Sequence, residues 1–289
     1  MPELRRIRLD VAYRGTNYCG WQRQDGCPTV QGEIEAALLR IVGESIAIRG
    51  SSRTDTGVHA LQQVAAFGTT ASIPPERFAP ALNANLPQDI RILRSLEVYP
   101  DFDPIGDCTR KRYCYLIDDG PVLSPFLTGA VWDYRFGTLN VDAMHEAAQA
   151  FIGEHDFASF QSEGSPRQNT VRTIYDISAQ RRAMPLPFGV SDVGETASQC
   201  LALEVEGNGF LYKMVRTMVG TLTAIGNGKH SKEWITEVIA AKDRRTAGVT
   251  APPEGLYLTS ITFQERGRPA RIAAGKMPAI PPHERFTSD

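Results

Sequence analysis

With 289 residues, of which 42% are hydrophobic, 22% charged and 8% aromatic, the chain has the make-up of a soluble enzyme of one large domain or two medium ones. A formal net charge of −2 argues against gripping nucleic acid by total charge, and no apolar run approaches the length of a membrane span. The opening residues MPELRRIRLD lack a signal-peptide apolar core, and the five cysteines form no C-x-x-C pair, so the composition favours a reduced, cytoplasmic protein without a disulfide framework or zinc site.

In chain order, Ile7, Leu9 and Val11 alternate with Arg8, Asp10 and Ala12 and predict a half-buried strand. A Gly-rich polar loop follows, and Val30, Ile34, Ala37, Leu38 and Ile41 recur at helical spacing with Gly43 as the stop. Strands are expected at 46–50, 62–68, 90–98 and 112–117. The second half repeats the rhythm: a helix from Asn140 to about Ile152, a strand at 200–205, and a helix at about 212–225 ended by Gly226. A helix capped by Ser231 and a strand at 256–263 complete it. This reads as an α+β protein of two halves of related plan, 1–105 and 106–265, each an antiparallel sheet backed by helices. A polar insertion at 181–199 and a loosely ordered tail at 266–289 lie outside that plan.

Reactive groups are densest in Arg53-Thr54-Asp55-Thr56-Gly57-Val58-His59, between two strand-like segments. A carboxylate there suits nucleophilic or acid–base work, with the nearby arginine favouring its ionised form; Asp before Thr-Gly is equally a good turn former. The tripeptide Asp55-Thr56-Gly57 is that of aspartic proteases, but no second copy exists and Ser51-Ser52-Arg53-Thr54, not an apolar strand, precedes it. Basic runs at Arg5-Arg6-Arg8, Arg110-Lys111-Arg112, Arg181-Arg182 and Lys242 with Arg244-Arg245 permit a cationic cleft despite the net charge.

The longer string G-S-S-R-T-D-T-G-V-H-A resembles the catalytic segment of the tRNA pseudouridine synthase A family. So do YRGTNYCGWQRQ (13–24), TVQGEIEAAL (29–38), NANLPQDI (83–90), HDFASF (155–160), GNGFLYKMVR (207–216) and KDRRTAGVTAPPEGLYL (242–258). The resemblance implies two ferredoxin-like halves whose antiparallel sheets join into one, helices on one face and the active site in the cleft between the halves. It implies Asp55 as catalytic nucleophile and Arg53 as the arginine entering the RNA helix. Tyr113 would lie against the flipped uracil, Arg216 would pair with Asp55, and Leu256 would line the uracil pocket. The implied substrate is tRNA, at positions 38, 39 and 40 of the anticodon arm; the implied assembly is a homodimer, with no metal or organic cofactor. Flipping costs a few kcal/mol per base, which a basic side chain and an aromatic platform offset.

On pattern alone, Arg216 lies just beyond an apolar arc formed by Met214, Val215, Met218, Val219, Leu222 and Ile225. His59 reads as structural and Trp21 as a packing anchor. The segment Phe102-Asp103-Pro104-Ile105-Gly106-Asp107-Cys108 replaces a family stretch that carries an arginine. The alternative from another class is a non-catalytic RNA-binding protein on the same scaffold, in which Asp55 serves only its turn.

Overall fold

The computed structural model describes residues 3–162, 164, 169–183 and 199–264. Ten strands form one sheet: β1 (Arg5–Tyr13), β2 (Arg49–Gly50), β3 (His59–Thr69), β4 (Ile90–Val98), β5 (Cys108–Asp118), β6 (Trp132–Asp133), β7 (Gly153–Asp156), β8 (Val171–Ala183), β9 (Gln199–Gly207) and β10 (Leu256–Phe263). The helices are α1 (Val30–Val42), α2 (Phe78–Asn83), α3 (Val141–Ala148), α4 (Met214–Gly226) and α5 (Trp234–Ala241). Strand order is β4-β1-β3-β10-β5-β9-β8-β7, with β2 on β3 and β6 on β5.

Alternation sets the two faces. Ile7, Leu9, Val11 and Tyr13 of β1 are buried, and Tyr113, Tyr115 and Ile117 of β5 sit opposite Val205, Leu203 and Leu201 of β9. Val30, Ile34, Leu38, Met144, Met218 and Leu222 of the helices join these residues in one core. On the opposite face Arg8 and Arg94 clasp Asp10 at 2.7 and 2.6 Å, and Arg112 reaches Glu206 at 3.1 Å.

Most pairings within each half are antiparallel, as expected, but the sheet as a whole is mixed. The seam is a short parallel pairing of β3 with β10, Tyr257 opposite His59 and Leu258 opposite Ala60, and β5 and β6 are also parallel. That seam positions the site. Parallel strands start at the same end, so the segments entering β3 and β10, which carry Asp55 and Ala251, emerge side by side.

Helix α1 starts where Thr29 accepts a hydrogen bond from the Gly32 amide at 3.2 Å and stops at Gly43, whose φ of 85° is left-handed. Several expectations need correction. The strand expected at 46–50 shrinks to Arg49–Gly50, because Glu35 accepts from the Ile48 amide and Gln31 donates to its carbonyl, so side chains of α1 take the bonds a ladder would have used. Helix α4 ends at Gly226 as expected, with Asn227 as its cap, but it is buried nearly all round rather than on one arc. Ser231 does not cap α5, which begins at Trp234. The insertion begins later than expected, since Arg181–Ala183 complete β8 and Gln199 opens β9; 184–198 and the tail 266–289 lie outside the described residues.

Candidate active site

The Asp55 segment is wedged between two neighbours that crowd its backbone. From the first loop, the Trp21 amide donates to the Thr54 carbonyl at 3.1 Å and the Gly57 amide donates to the Tyr18 carbonyl at 3.3 Å. A Cβ on Gly15 would stand 2.0 Å from the Val58 oxygen, and one on Gly20, at φ 88°, would stand 2.4 Å from the Thr54 oxygen. On the other side, a Cβ on Gly57 would stand 2.9 Å from the Pro253 ring.

Side chains lock the same segment from below. Gln63 donates to the Ser52 carbonyl at 2.6 Å and accepts from the Ser52 amide at 3.2 Å, while the Ser52 and Tyr113 hydroxyls are 2.9 Å apart. The Tyr13 and Thr54 hydroxyls meet at 2.8 Å, and Lys111 Nζ donates to the Ser51 carbonyl at 2.8 Å. His59 holds both flanks: its Nδ1 accepts from the Gly15 amide at 3.0 Å, and its Nε2 lies 3.1 Å from the Glu254 carbonyl. With Nδ1 occupied as acceptor, the imidazole is neutral and Nε2 carries the proton. Burial lowers its pKa below the ordinary value, consistent with that form.

Asp55 is reached from α4 by Arg216. Nη1 donates to Oδ2 at 3.2 Å while Nε donates to the Ala251 carbonyl at 2.7 Å, and the Ala251 amide donates back to the Arg216 carbonyl at 3.1 Å. The pair spans 161 residues of sequence and is largely withdrawn from water. Burial raises the Asp55 pKa from its ordinary value, outweighing the opposing pull of Arg216 and, more weakly, Lys213. Arginine therefore favours the ionised carboxylate here, but through Arg216 rather than the adjacent Arg53.

Of the five residues singled out in the sequence, Asp55 and Arg216 touch. Tyr113 is buried near enough for the Asp55 charge to act on it, and burial first, with that charge, pushes its hydroxyl up to about 12. The Tyr113 hydroxyl thus stays protonated across the neutral range. Leu256 is buried on the same face, across from Tyr115, one pair removed from Tyr113 and its partner Leu258. Arg53 is exposed, and among the described residues nothing holds its guanidinium.

Sequence reasoning passed over Ser52, Gln63, Ala251 and Lys213. The first two sit in strings rich in small polar residues that carry no period, and the role of Ala251 is played by its carbonyl, which no side-chain pattern reports. Among the described residues no group of three or more potential metal ligands occurs, and no helix is long and apolar enough to cross a membrane.

The family described as tRNA pseudouridine synthase matches residues 11–103 and 147–264. The chain belongs to that family. Proteins called tRNA pseudouridine synthase A from Thermoanaerobacter sp. (strain X514), Acetivibrio thermocellus and Geobacter sulfurreducens are 39%, 42% and 41% identical over 260 residues, covering 90% of this chain and 100% of each relative. The protein is accordingly an enzyme, an isomerase. A chain from the crystal structure of a Cbf5-Nop10-Gar1 complex overlays 89% of it, and 60% of that chain, with 13% identity and a TM-score of 0.33.

Proposed function

We propose that the protein isomerises uridine to pseudouridine in tRNA, at positions 38, 39 and 40 of the anticodon arm, with Asp55 as the catalytic nucleophile. The observation that carries this reading is the Asp55–Arg216 pair, a desolvated carboxylate held at 3.2 Å by an arginine from the far half of the chain. Isomerisation detaches the uracil from the ribose, turns it and rejoins it through carbon. An ionised carboxylate suits the detachment because it can attack covalently or stabilise glycosidic cleavage without a cofactor. A desolvated carboxylate is also a stronger nucleophile than a hydrated one, which gives the burial of Asp55 a chemical use.

The other assignments follow from place. Tyr113 offers a ring at the floor of the site, Leu256 an apolar wall, and Arg53 a free cation two residues from Asp55 that suits entry into an RNA helix. A stacked RNA hides its glycosidic bond, so the target nucleotide must leave the stack to reach Asp55. We read residues 1–105 and 106–265 as two halves meeting at the β3–β10 seam, and the protein as a cytoplasmic homodimer that needs no cofactor.

The test is pseudouridine formation in an unmodified tRNA transcript with uridine at 38, 39 and 40, comparing the wild type with Asp55→Ala. Product from the wild type alone, mapped to those positions, is the expected result. Equal product from both would remove Asp55 from the chemistry, and product mapped elsewhere in the tRNA would reject the anticodon-arm assignment. Sedimentation of the free protein checks the dimer.

A further inference from the structure

Lys213 stands immediately before α4 with φ 58° and ψ 12°, one of two described non-glycine residues with a left-handed backbone. Glycine or asparagine adopts that backbone at lower cost, so what lysine brings to the position is its side chain. The other such residue, Lys242, closes α5 and pairs with Asp156 at 3.0 Å. Lys213 has no such anion: among the described residues no carboxylate lies within ion-pair distance, and its Nζ rests 4.8 Å from the centroid of the exposed Tyr212 ring.

The surroundings fix where this ammonium is offered. The Ser162 amide donates to the Tyr212 carbonyl at 3.1 Å, the Met214 amide donates to the Leu211 carbonyl at 3.1 Å, and Phe210 meets Tyr113 edge-on with centroids 5.2 Å apart. The turn is thus anchored against the wall of the Asp55 site, and the Lys213 charge reaches Asp55. The other nearby cations are engaged. Arg216 is committed to Asp55 and Ala251, Arg112 to Glu206, and Lys111 to the Ser51 carbonyl. A polyanionic strand brought to a buried carboxylate needs cations at the mouth, and among the described residues around the site Lys213 and Arg53 have no carboxylate partner to neutralise them.

We propose that Lys213 is a substrate-positioning residue that binds a phosphodiester of the RNA strand beside the reacting nucleotide. This rests on the reading of Asp55 as the centre of the site. A lysine on a fixed turn meets a phosphate as a point charge, whereas base recognition would ask for a planar fork.

The experiment uses an unmodified tRNA transcript with Lys213→Gly, Lys213→Asn and Lys213→Arg. Glycine and asparagine keep the left-handed backbone and remove the charge, so stability should hold or rise while KM rises about tenfold with kcat nearly unchanged. The salt dependence of log affinity should lose about 0.7 to 0.9 of its slope, one phosphate contact. Lys213→Arg should stay near wild type. An unchanged KM and salt slope would overturn the proposal. So would a shifted acid limb of kcat at constant KM, which would make Lys213 an electrostatic aid to Asp55, or an arginine variant as impaired as the glycine one. Asp55→Ala in the same series keeps the two readings apart: turnover by that variant sinks the Asp55 assignment, while the tRNA affinity and salt slope of Asp55→Ala with and without Lys213→Gly report on Lys213 without chemistry.

Discussion

Arg216 divides one guanidinium between the Asp55 carboxylate, 3.2 Å from Nη1, and the Ala251 carbonyl, 2.7 Å from Nε. The second bond keeps the arginine from following the carboxylate, so Asp55 is held from a fixed point. Burial has already lifted the Asp55 pKa, with Arg216 as its main opponent. A raised carboxylate pKa means the ionised form is lost, as pH falls, sooner than for an ordinary aspartate.

Arg216→Met removes that opponent. The acid limb of kcat/KM should move to higher pH by about one to three pH units, and turnover at neutral pH should fall by roughly 100-fold. Arg216→Lys restores charge but not the planar fork whose two nitrogens reach the two acceptors, so it should recover only part of the loss. A pH–rate profile with an unmoved acid limb would show that Arg216 does not govern Asp55.

Three glycines separate backbone conformation from space. Gly20 and Gly26 have φ of 88° and 79°, but a Cβ on Gly20 meets the Thr54 oxygen at 2.4 Å, whereas one on Gly26 meets nothing within 4 Å. Gly26→Ala should cost about 1 to 2 kcal/mol, the left-handed penalty alone, and leave turnover intact. Gly20→Ala should cost at least about 3 kcal/mol in urea unfolding and abolish most activity, because Thr54 moves with Asp55 beside it. Gly15→Ala belongs with Gly20→Ala: its backbone is unstrained, but its Cβ would stand 2.0 Å from the Val58 oxygen. Equal losses for Gly20→Ala and Gly26→Ala with little loss for Gly15→Ala would mean that strain, not crowding, sets the sensitivity of this loop.

His59 makes the loop sensitive to acid. Its folded pKa lies below the ordinary 6.5, chiefly through burial, with the Glu254 carbonyl opposing and Arg14 adding to the depression. Tyr257 stacks on the ring at 4.7 Å. The unfolded chain takes up the proton first, so stability from the neutral ring is present above pH 6.5 and drains away as pH falls through the lower folded value. Protonation also places a hydrogen on Nδ1 against the Gly15 amide. Chemical unfolding between pH 8 and 5 should therefore show a loss that His59→Gln largely flattens. A wild-type slope unaltered by the substitution would assign that loss to other groups.

How much of this was legible in the sequence depends on period and distance. Strand β1 was read from Ile7, Leu9 and Val11 because one face is apolar and the other charged. The 13-residue β8 went unread: a register shift between Ile174 and Asp176 leaves its buried isoleucines, Ile174 and Ile177, three apart, a helical spacing. The parallel β3–β10 seam joins segments nearly 200 residues apart and has no local sign. Asp55 and Arg216 could be named from their motifs, but their 3.2 Å separation depends on that seam and on the buried α4. The left-handed Lys213 leaves no trace either, since backbone conformation at one lysine is decided by the turn around it.

Arg53 poses the sharpest test of the RNA-bound arrangement, because the protein alone gives it nothing to do. Its neighbours Ser52 and Thr54 are buried and hydrogen-bonded, yet its own side chain is exposed, with no partner among the described residues. Removing it should leave the fold untouched: Arg53→Ala should unfold within about 0.5 kcal/mol of wild type. If the guanidinium holds the target nucleotide out of the stack, it acts after docking, against an unstacking cost of a few kcal/mol. Turnover should then fall about 100-fold or more, while tRNA affinity falls only a fewfold and the salt slope of about −0.9 per phosphate, taken from duplex DNA, stays put. Single-turnover rates and filter-binding at several salt concentrations read the two quantities separately. Equal losses in rate and affinity, with a shallower slope, would make Arg53 an ordinary phosphate contact and leave the flipping to other groups.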